Sequence, residues 1–251
     1  MLVIEFKDVC KDYRHQPILD HINLQILPGE FFGLVGANGA GKTTLIKSLL
    51  DLCEIKKGSI HLFGTPHTDH HARTQLAFLP EQFFPPSYLT GQNFLAYMAK
   101  LHGLMYDSAH ALEICQTIDL AVPALKLPVR DYSKGMAQKL GLAACLLSGK
   151  RLLVLDEPMS GLDPKARAYL KQYLQTLKAK GTTLFFSTHL LADVEVLCDR
   201  MAILHEGRLP FVGSPSECCT TFAAQNLEQA YLNSYLKTPK LPKNSRIIYV
   251  K

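Results

Sequence analysis

The sequence predicts an α/β fold with a mainly parallel sheet, an antiparallel β portion near the amino end, and an inserted α-helical subdomain. Three observations carry this expectation. Short, continuously apolar runs (EFFGLVG, RLLVLDE and TTLFFSTH) read as strands covered on both faces. The segment between the last two has helical periodicity, so the order is strand, helix, strand. From Leu89 to Gly149 strand signals fade, and NFLAYMAKLHG, HALEICQTIDL and MAQKLGLAACLL read as helices. The expected organisation is one domain over 1–215, with the helical subdomain at about 89–149, then a helix and a basic tail over 216–251.

Taken in order, HINLQI alternates, and Ile22, Leu24 and Ile26 share one face of a half-buried strand. EFFGLVG ends in Gly36, as a central strand does when it feeds a turn. TLIKSLLDLC then places Leu45, Leu49 and Leu52 on one helical stripe. In KARAYLKQYLQTLKAKG the stripe is Ala166, Leu170, Tyr173, Leu174 and Leu177, with Gly181 as the stop. MAILHEGRLPFVG reads as a hairpin about Glu206-Gly207. After Pro215 one helix is expected in FAAQNLEQAYLNSYL, and KTPKLPKNSRIIYVK reads as a loose basic tail.

Composition bounds the function classes. The chain has 251 residues, 47% hydrophobic and 20% charged, which suits a globular domain with a sizeable core. A net charge of +5 is too small to argue for nucleic acid as a partner. The seven cysteines include no Cys-x-x-Cys pair, which points to a reduced, cytosolic chain. Glu5, Lys7 and Asp8 interrupt the apolar character of the first residues, so a secretory leader is not expected. No apolar run is long enough to cross a bilayer. The histidine-rich stretch HTDHH, with His67, Asp69, His70 and His71, follows no helical or strand period and reads as a solvated loop rather than a metal site.

Four short segments carry chemistry. GANGAGKTT, from Gly36 to Thr44, fits the Walker A pattern between a predicted strand and a predicted helix. Its glycines allow close backbone approach to phosphate, and the amides at the helix start face the anion. Gly36, Asn38, Gly39, Ala40, Gly41, Lys42, Thr43 and Thr44 are therefore the expected phosphate-holding set. Lys42 adds a full positive charge, and the Thr43 hydroxyl is placed to ligate Mg²⁺. In LLVLDE, Asp156 ends a strand and is the second expected Mg²⁺ residue, while Glu157 can polarise an attacking water. His189 follows FFST at another strand end. Parallel strands gather their ends at one edge, so His189 should lie near Gly36 and Asp156. Upstream, Ser133-Lys134-Gly135 opens a helix and forms a second potential anion site.

Walker A, the turn YSKGM ahead of LLVLDE, then SGLD and STH in that order, resemble the nucleotide-binding subunit of an ABC transporter over roughly residues 1–215. The resemblance implies a P-loop NTPase core that binds ATP with Mg²⁺ and hydrolyses it, with Glu157 and His189 as catalytic residues. It implies a head-to-tail homodimer with ATP between the subunits, where Ser133 and Gly135 cap the γ-phosphate held by the partner. Asp163, in the SGLD segment, would touch the opposite site, and Tyr13 would stack on adenine. Pro80-Glu81-Gln82 falls where the family's Q-loop belongs. The usual glutamine position holds Glu81, with Gln82 one residue later, and either residue is available to the site. Glu81, and YSKGM in place of the commoner LSGGQ, resemble the branch whose partners are ABC-2 type exporters.

The resemblance thus implies a cytoplasmic subunit, peripheral on the inner face of the membrane through a separate integral-membrane permease. The apolar stretch Phe83, Phe84, Pro85, Pro86 and Tyr88 suits a contact with that permease. The rival reading is a soluble ABC-type ATPase in translation or DNA repair; those proteins usually carry two cassettes or a long coiled coil, and this sequence shows neither.

Overall fold

The computed structural model describes residues 1–14 and 16–237. The chain runs β1 (Ile4–Tyr13), β2 (Gln16–Ile26), β3 (Phe31–Val35), α1 (Lys42–Leu49), β4 (Lys57–Leu62), β5 (Thr65–Pro66) and β6 (Leu76–Leu79). Three helices follow, α2 (Gly91–Leu101), α3 (Ser108–Thr117) and α4 (Lys134–Leu147). Then come β7 (Leu152–Asp156), α5 (Pro164–Ala179), β8 (Thr183–Thr188), α6 (Leu191–Leu197), β9 (Arg200–His205), β10 (Arg208–Gly213), α7 (Pro215–Thr221) and α8 (Leu227–Lys237).

Two sheets form. The larger has the order β10-β9-β3-β8-β7-β6, and the smaller β2-β1-β4-β5. Every pairing in the larger sheet is parallel except β9 with β10, and the smaller sheet is antiparallel throughout. The α/β class, the mainly parallel sheet and the amino-terminal antiparallel portion agree with the sequence expectation.

The apolar strands are continuous because alternate residues enter different cores. On β7, Leu153 and Leu155 face the helical side with Phe186, Leu140 and Leu170, while Leu152 and Val154 face the small sheet and α1 with Phe185, Phe6 and Ile46. A third cluster joins Val35, Met201 and Ile203 to Phe222, Leu227 and Ala230 of the carboxy-terminal segment.

Register sets the site. Val35 pairs with Thr188 and Ile203, Asp156 with Ser187, and Leu79 with Leu155. The carboxy ends of β3, β6, β7 and β8 therefore lie at nearly one height, and the loops after them share one sheet edge.

Three local expectations need correction. Leu52 does not extend the helical stripe: α1 ends at Leu49, Asp51 takes a left-handed φ of 60°, and Leu52 is 62% exposed. Among the described residues from Pro215 onward there are two helices, not one. Ser214 and Glu217 form a reciprocal capping box with Pro215 at the first turn, which starts α7 where the sequence reading saw only a break. His67 is buried rather than solvated, its Nδ1 3.2 Å from the Ile60 carbonyl, and burial lowers its pKa. Asp69, His70 and His71 are exposed, on a 3₁₀ turn that Asp69 caps. The expected tail at 238–251 lies outside the described residues.

Phe186, fully buried between the central sheet and the helices, is the test of this packing. Phe186→Ala should lower the unfolding free energy by about 3–5 kcal/mol. Urea denaturation checks this, and a loss below about 1 kcal/mol would contradict the described core.

Candidate functional site

β3 ends at Val35, and the turn after it folds over the start of α1. Gly36 has no room for a side chain: a Cβ there would stand 2.6 Å from the Leu204 carbonyl oxygen. Gly41 takes a φ of 109° as the residue before α1, a conformation that strains other residues. The result is a cradle of backbone amides at the positive end of α1. A cavity of about 370 Å³ opens there, lined by Ile18, Ala37, Asn38, Gly39, Gly41, Lys42, Thr43, Thr44, Glu81 and Glu157.

Lys42 is only 7% exposed. Its Nζ donates to the Gly36 carbonyl at 2.8 Å and to the Ala37 carbonyl at 3.4 Å, and lies 3.4 Å from Glu157 Oε1. These contacts hold the ammonium at the cavity wall. Glu157 is itself unusual, with a φ of 50° just past the end of β7. Its amide donates to the Ser187 carbonyl (3.2 Å) and Ser187 Oγ (3.0 Å), which fixes that conformation. Glu157 Oε2 is 2.8 Å from His189 Nδ1. Glu157 Oε1 is buried and receives no hydrogen bond, only the ion pair with Lys42. A buried carboxylate oxygen with open acceptor capacity is suited to hold a polarised water. Asp156 is 1% exposed and accepts from Ser187 Oγ, so Ser187 ties both acids to β8.

Hard oxygen donors, the Thr43 hydroxyl and the two acids, beside an amide cradle suit Mg²⁺ with a phosphate chain. Glu81 lines this cavity, whereas Gln82 does not; the two meet in a neighbouring groove. Tyr13 stands outside the cavity wall at the end of β1, 44% exposed, with Lys11 Nζ 4.7 Å over its ring. Its phenol pKa is raised, first by burial and then by Cys53. Ile18 was missed by the sequence reading. It reaches the cavity because β2 crosses the turn: a Cβ on Gly41 would meet the Ile18 carbonyl at 3.1 Å. Only the packing of the two sheets reveals that neighbour.

Ser133, Gly135 and Asp163 do not join Lys42 in this cavity. Ser133 caps α4, its Oγ accepting the Met136 amide at 3.2 Å, and lines the groove of about 650 Å³ between the Q-loop segment and α4. Gly135 packs on the turn after Glu157: a Cβ there would be 2.9 Å from the Gly161 carbonyl oxygen. Asp163 caps α5 through Oδ1, which accepts the Ala166 amide at 2.9 Å. Its Oδ2 accepts from Lys139 Nζ at 3.3 Å. Lys139 also donates to the Asp119 carbonyl at 2.9 Å and Oδ2 at 3.3 Å. One buried ammonium thus fastens α4, the end of α3 and the Gly161 turn. The sequence reading missed Lys139 because its two partners, Asp119 and Asp163, come from separate segments.

The sequence matches the ABC transporter family over residues 19–160. The chain belongs to the ABC transporter family. An uncharacterised ABC transporter ATP-binding protein of Synechocystis is 40% identical over 225 residues, covering 86% of this chain and 64% of that protein. The chain thus spans somewhat under two thirds of that relative's length. A Nod factor export ATP-binding protein I of Burkholderia pseudomallei is 36% identical, over 84% of this chain and 71% of its own length. A solved ATP-binding subunit of an ABC transporter superposes with a TM-score of 0.85 at 32% identity, covering 93% of this chain and 99% of that one. That solved subunit shares the α/β layout described above.

The carboxyl of Asp163 is held below the usual aspartate range, first by the Ala166 amide and then by Lys139. A lowered folded-state pKa contributes stability that is full above the ordinary aspartate value and is lost as pH falls through the lowered one. Asp163→Asn keeps a capping oxygen but removes the charge. It should flatten the fall in unfolding free energy below about pH 4. Urea titrations across the acid range check this, and an unaltered acid limb would remove Asp163 from the clamp.

Proposed function

We propose that this chain is the ATP-binding and hydrolysing subunit of an ABC transporter, and that it drives a separate integral-membrane permease of the ABC-2 export type. The observation that carries the reading is the meeting of Lys42 and Glu157 in one cavity on an amide cradle, with His189 bonded to Glu157. The Nod factor export relative supports the exporter assignment. Among the described residues no helix is long and apolar enough to cross a membrane, so in this reading the permease supplies the crossing. The subunit then sits on the cytoplasmic face through that permease.

In the proposed reaction the amides from Asn38 to Thr44 hold the phosphate chain and Lys42 pairs with the β- and γ-phosphates. Thr43 and Asp156 would hold Mg²⁺, whose positive charge offsets that of the phosphates. Lys42 lies within reach of both Glu157 and a phosphate. A phosphate on Lys42 leaves Glu157 Oε1 free to accept the proton of a water as its oxygen bonds phosphorus and the bridging oxygen departs with ADP. His189 fixes Glu157 through Oε2. Tyr13 offers the ring face away from Lys11 to adenine. Glu81, rather than Gln82, serves as the Q-loop residue at the phosphates.

The trans arrangement rests on Ser133 and Gly135 standing outside their own chain's phosphate cavity, on an outward helix start. A second subunit, packed head to tail, brings them to its neighbour's γ-phosphate. Asp163 then acts by holding the Gly161 turn in shape. The groove beside Ser133, with Phe84 and Tyr88 exposed at 85% and 79%, is the surface for cytoplasmic helices of the permease.

Glu157→Gln should retain ATP binding and lose on the order of 10²–10⁴-fold in hydrolysis, measured as phosphate release. Unchanged turnover would remove Glu157 as the water-positioning group. Ser133→Ala should leave monomer ATP affinity intact and weaken ATP-dependent dimerisation of the Glu157→Gln protein, read by sedimentation. A dimer of unaltered strength would defeat the trans assignment.

Tagged Glu157→Gln protein, extracted gently with its membranes in Mg-ATP, should co-purify a polytopic membrane protein at near-equal stoichiometry. Phe84→Asp should abolish that capture. Recovery of ribosomes or DNA without a permease would overturn the transporter reading.

A further inference from the structure

Away from the phosphate cavity, β1 and β2 leave regular pairing where three metal-competent side chains meet. The ladder shifts between Phe6 and Val9, and again between Val9 and Lys11. Asp8 and His21 both take positive φ, 52° and 54°, which non-glycine residues hold only where the surroundings enforce it. The irregularity brings His21 Nδ1 onto Asp8 Oδ1. It also sets the His21 amide 3.4 Å from Cys10 Sγ. Asp20 Oδ1 lies 3.8 Å from His21 Nε2. One ligand atom from each of Cys10, Asp20 and His21 lies within 4.8 Å of the others.

We propose that Cys10, Asp20 and His21 form a binding site for a borderline-soft divalent metal ion of the zinc type. The donor set is a thiolate sulfur, an imidazole nitrogen and a carboxylate oxygen, which suits zinc and not magnesium or calcium. Asp8 occupies Nδ1 of His21 and so leaves Nε2 as the ligand, the carboxylate–histidine arrangement that orients metal-bound imidazoles. Arg208 holds the other oxygen of Asp20, its Nε at 2.7 Å and Nη2 at 2.6 Å from Oδ2, so Oδ1 faces His21. Lys57 holds Asp8 Oδ2 at 2.7 Å in the same way. Each carboxylate thus has one oxygen anchored and one directed inward. Binding displaces the Cys10 thiol proton to solvent, and the thiolate and the Asp20 carboxylate together balance a doubly charged ion.

Tetrahedral zinc sets its ligands about 3.3–3.8 Å apart. A small shift of the His21 ring that keeps its Asp8 bond, with the side chain 57% exposed, would close the set. Beside the three residues lies a cavity of about 430 Å³, open to water as the fourth ligand. The other close cluster among the described residues, Asp69, His70 and His71, is exposed and offers no sulfur. The site also has a position: β1 runs on to Tyr13 and β2 begins with Gln16, so a bound ion would pin the hairpin that carries Ile18 to the phosphate cavity.

The test uses the reduced full chain without a polyhistidine tag. Co²⁺ titration should produce a thiolate-to-cobalt charge-transfer absorption saturating at one equivalent, and Zn²⁺ should displace it. Cys10→Ser should abolish the band. Asp20→Asn and His21→Ala should weaken binding at least tenfold, and Asp8→Asn by about 10–100-fold. A variant lacking His70 and His71 should bind normally. A band that survives in Cys10→Ser, or weak binding indifferent to all four substitutions, would overturn the site. If a substituted chain fails to fold, X-ray absorption on the zinc-loaded wild-type chain decides. One sulfur among nitrogen and oxygen neighbours supports the assignment, and zero or several sulfurs refute it.

Discussion

The parallel register of the central sheet is the constraint from which the site follows. Because Val35 pairs with Thr188 and Asp156 with Ser187, the strands release their chains within one rung of each other. Lys42, Glu157 and His189 are then neighbours without any long loop to gather them. A slip of one residue in β7 would turn Asp156 to the other face of the sheet and break the Ser187 bond that holds both acids. The fully apolar cores on both faces make that slip costly, so the hydrophobic packing is also what fixes the polar geometry.

A second layer of order comes from polar contacts that cross segments. Lys139 is buried and binds two aspartates and a carbonyl, with Asp163 capping α5 at the same time. The Gly161 carbonyl packs against Gly135 at a distance that admits no side chain. Helix α4 and the turn after Glu157 are therefore fastened to each other. In the proposed dimer, the residues offered to the neighbour's phosphate are rigidly connected to the chain's own Glu157, which gives each half of the assembly a mechanical link to the other.

Much of this was legible in the sequence, for a definite reason. The Walker A turn, the Asp156-Glu157 pair and His189 each sit beside an apolar run that names its strand, and parallel strands bring their ends together. What was not legible depends on contacts between distant segments. Leu52 left the helical stripe because Asp51 adopts a left-handed backbone, which side-chain periodicity cannot report. The start of α7 is written in Ser214, Pro215 and Glu217, but a proline after a hairpin looks like an end until the capping bonds are seen. His67 is buried because its amide and ring both turn toward the Ile60 carbonyl. Ile18 and Lys139 carry no motif at all; their roles exist only in the packing.

The position of Glu81 has a consequence of its own. This one side chain bounds both the phosphate cavity and the groove beside Ser133. A shared wall obeys thermodynamic reciprocity: if an occupant of the groove shifts Glu81 and thereby changes phosphate affinity by some factor, phosphate must change that occupant's affinity by the same factor. Two spaces with no ligand in common would in this way be linked in a single equilibrium through one residue, Glu81.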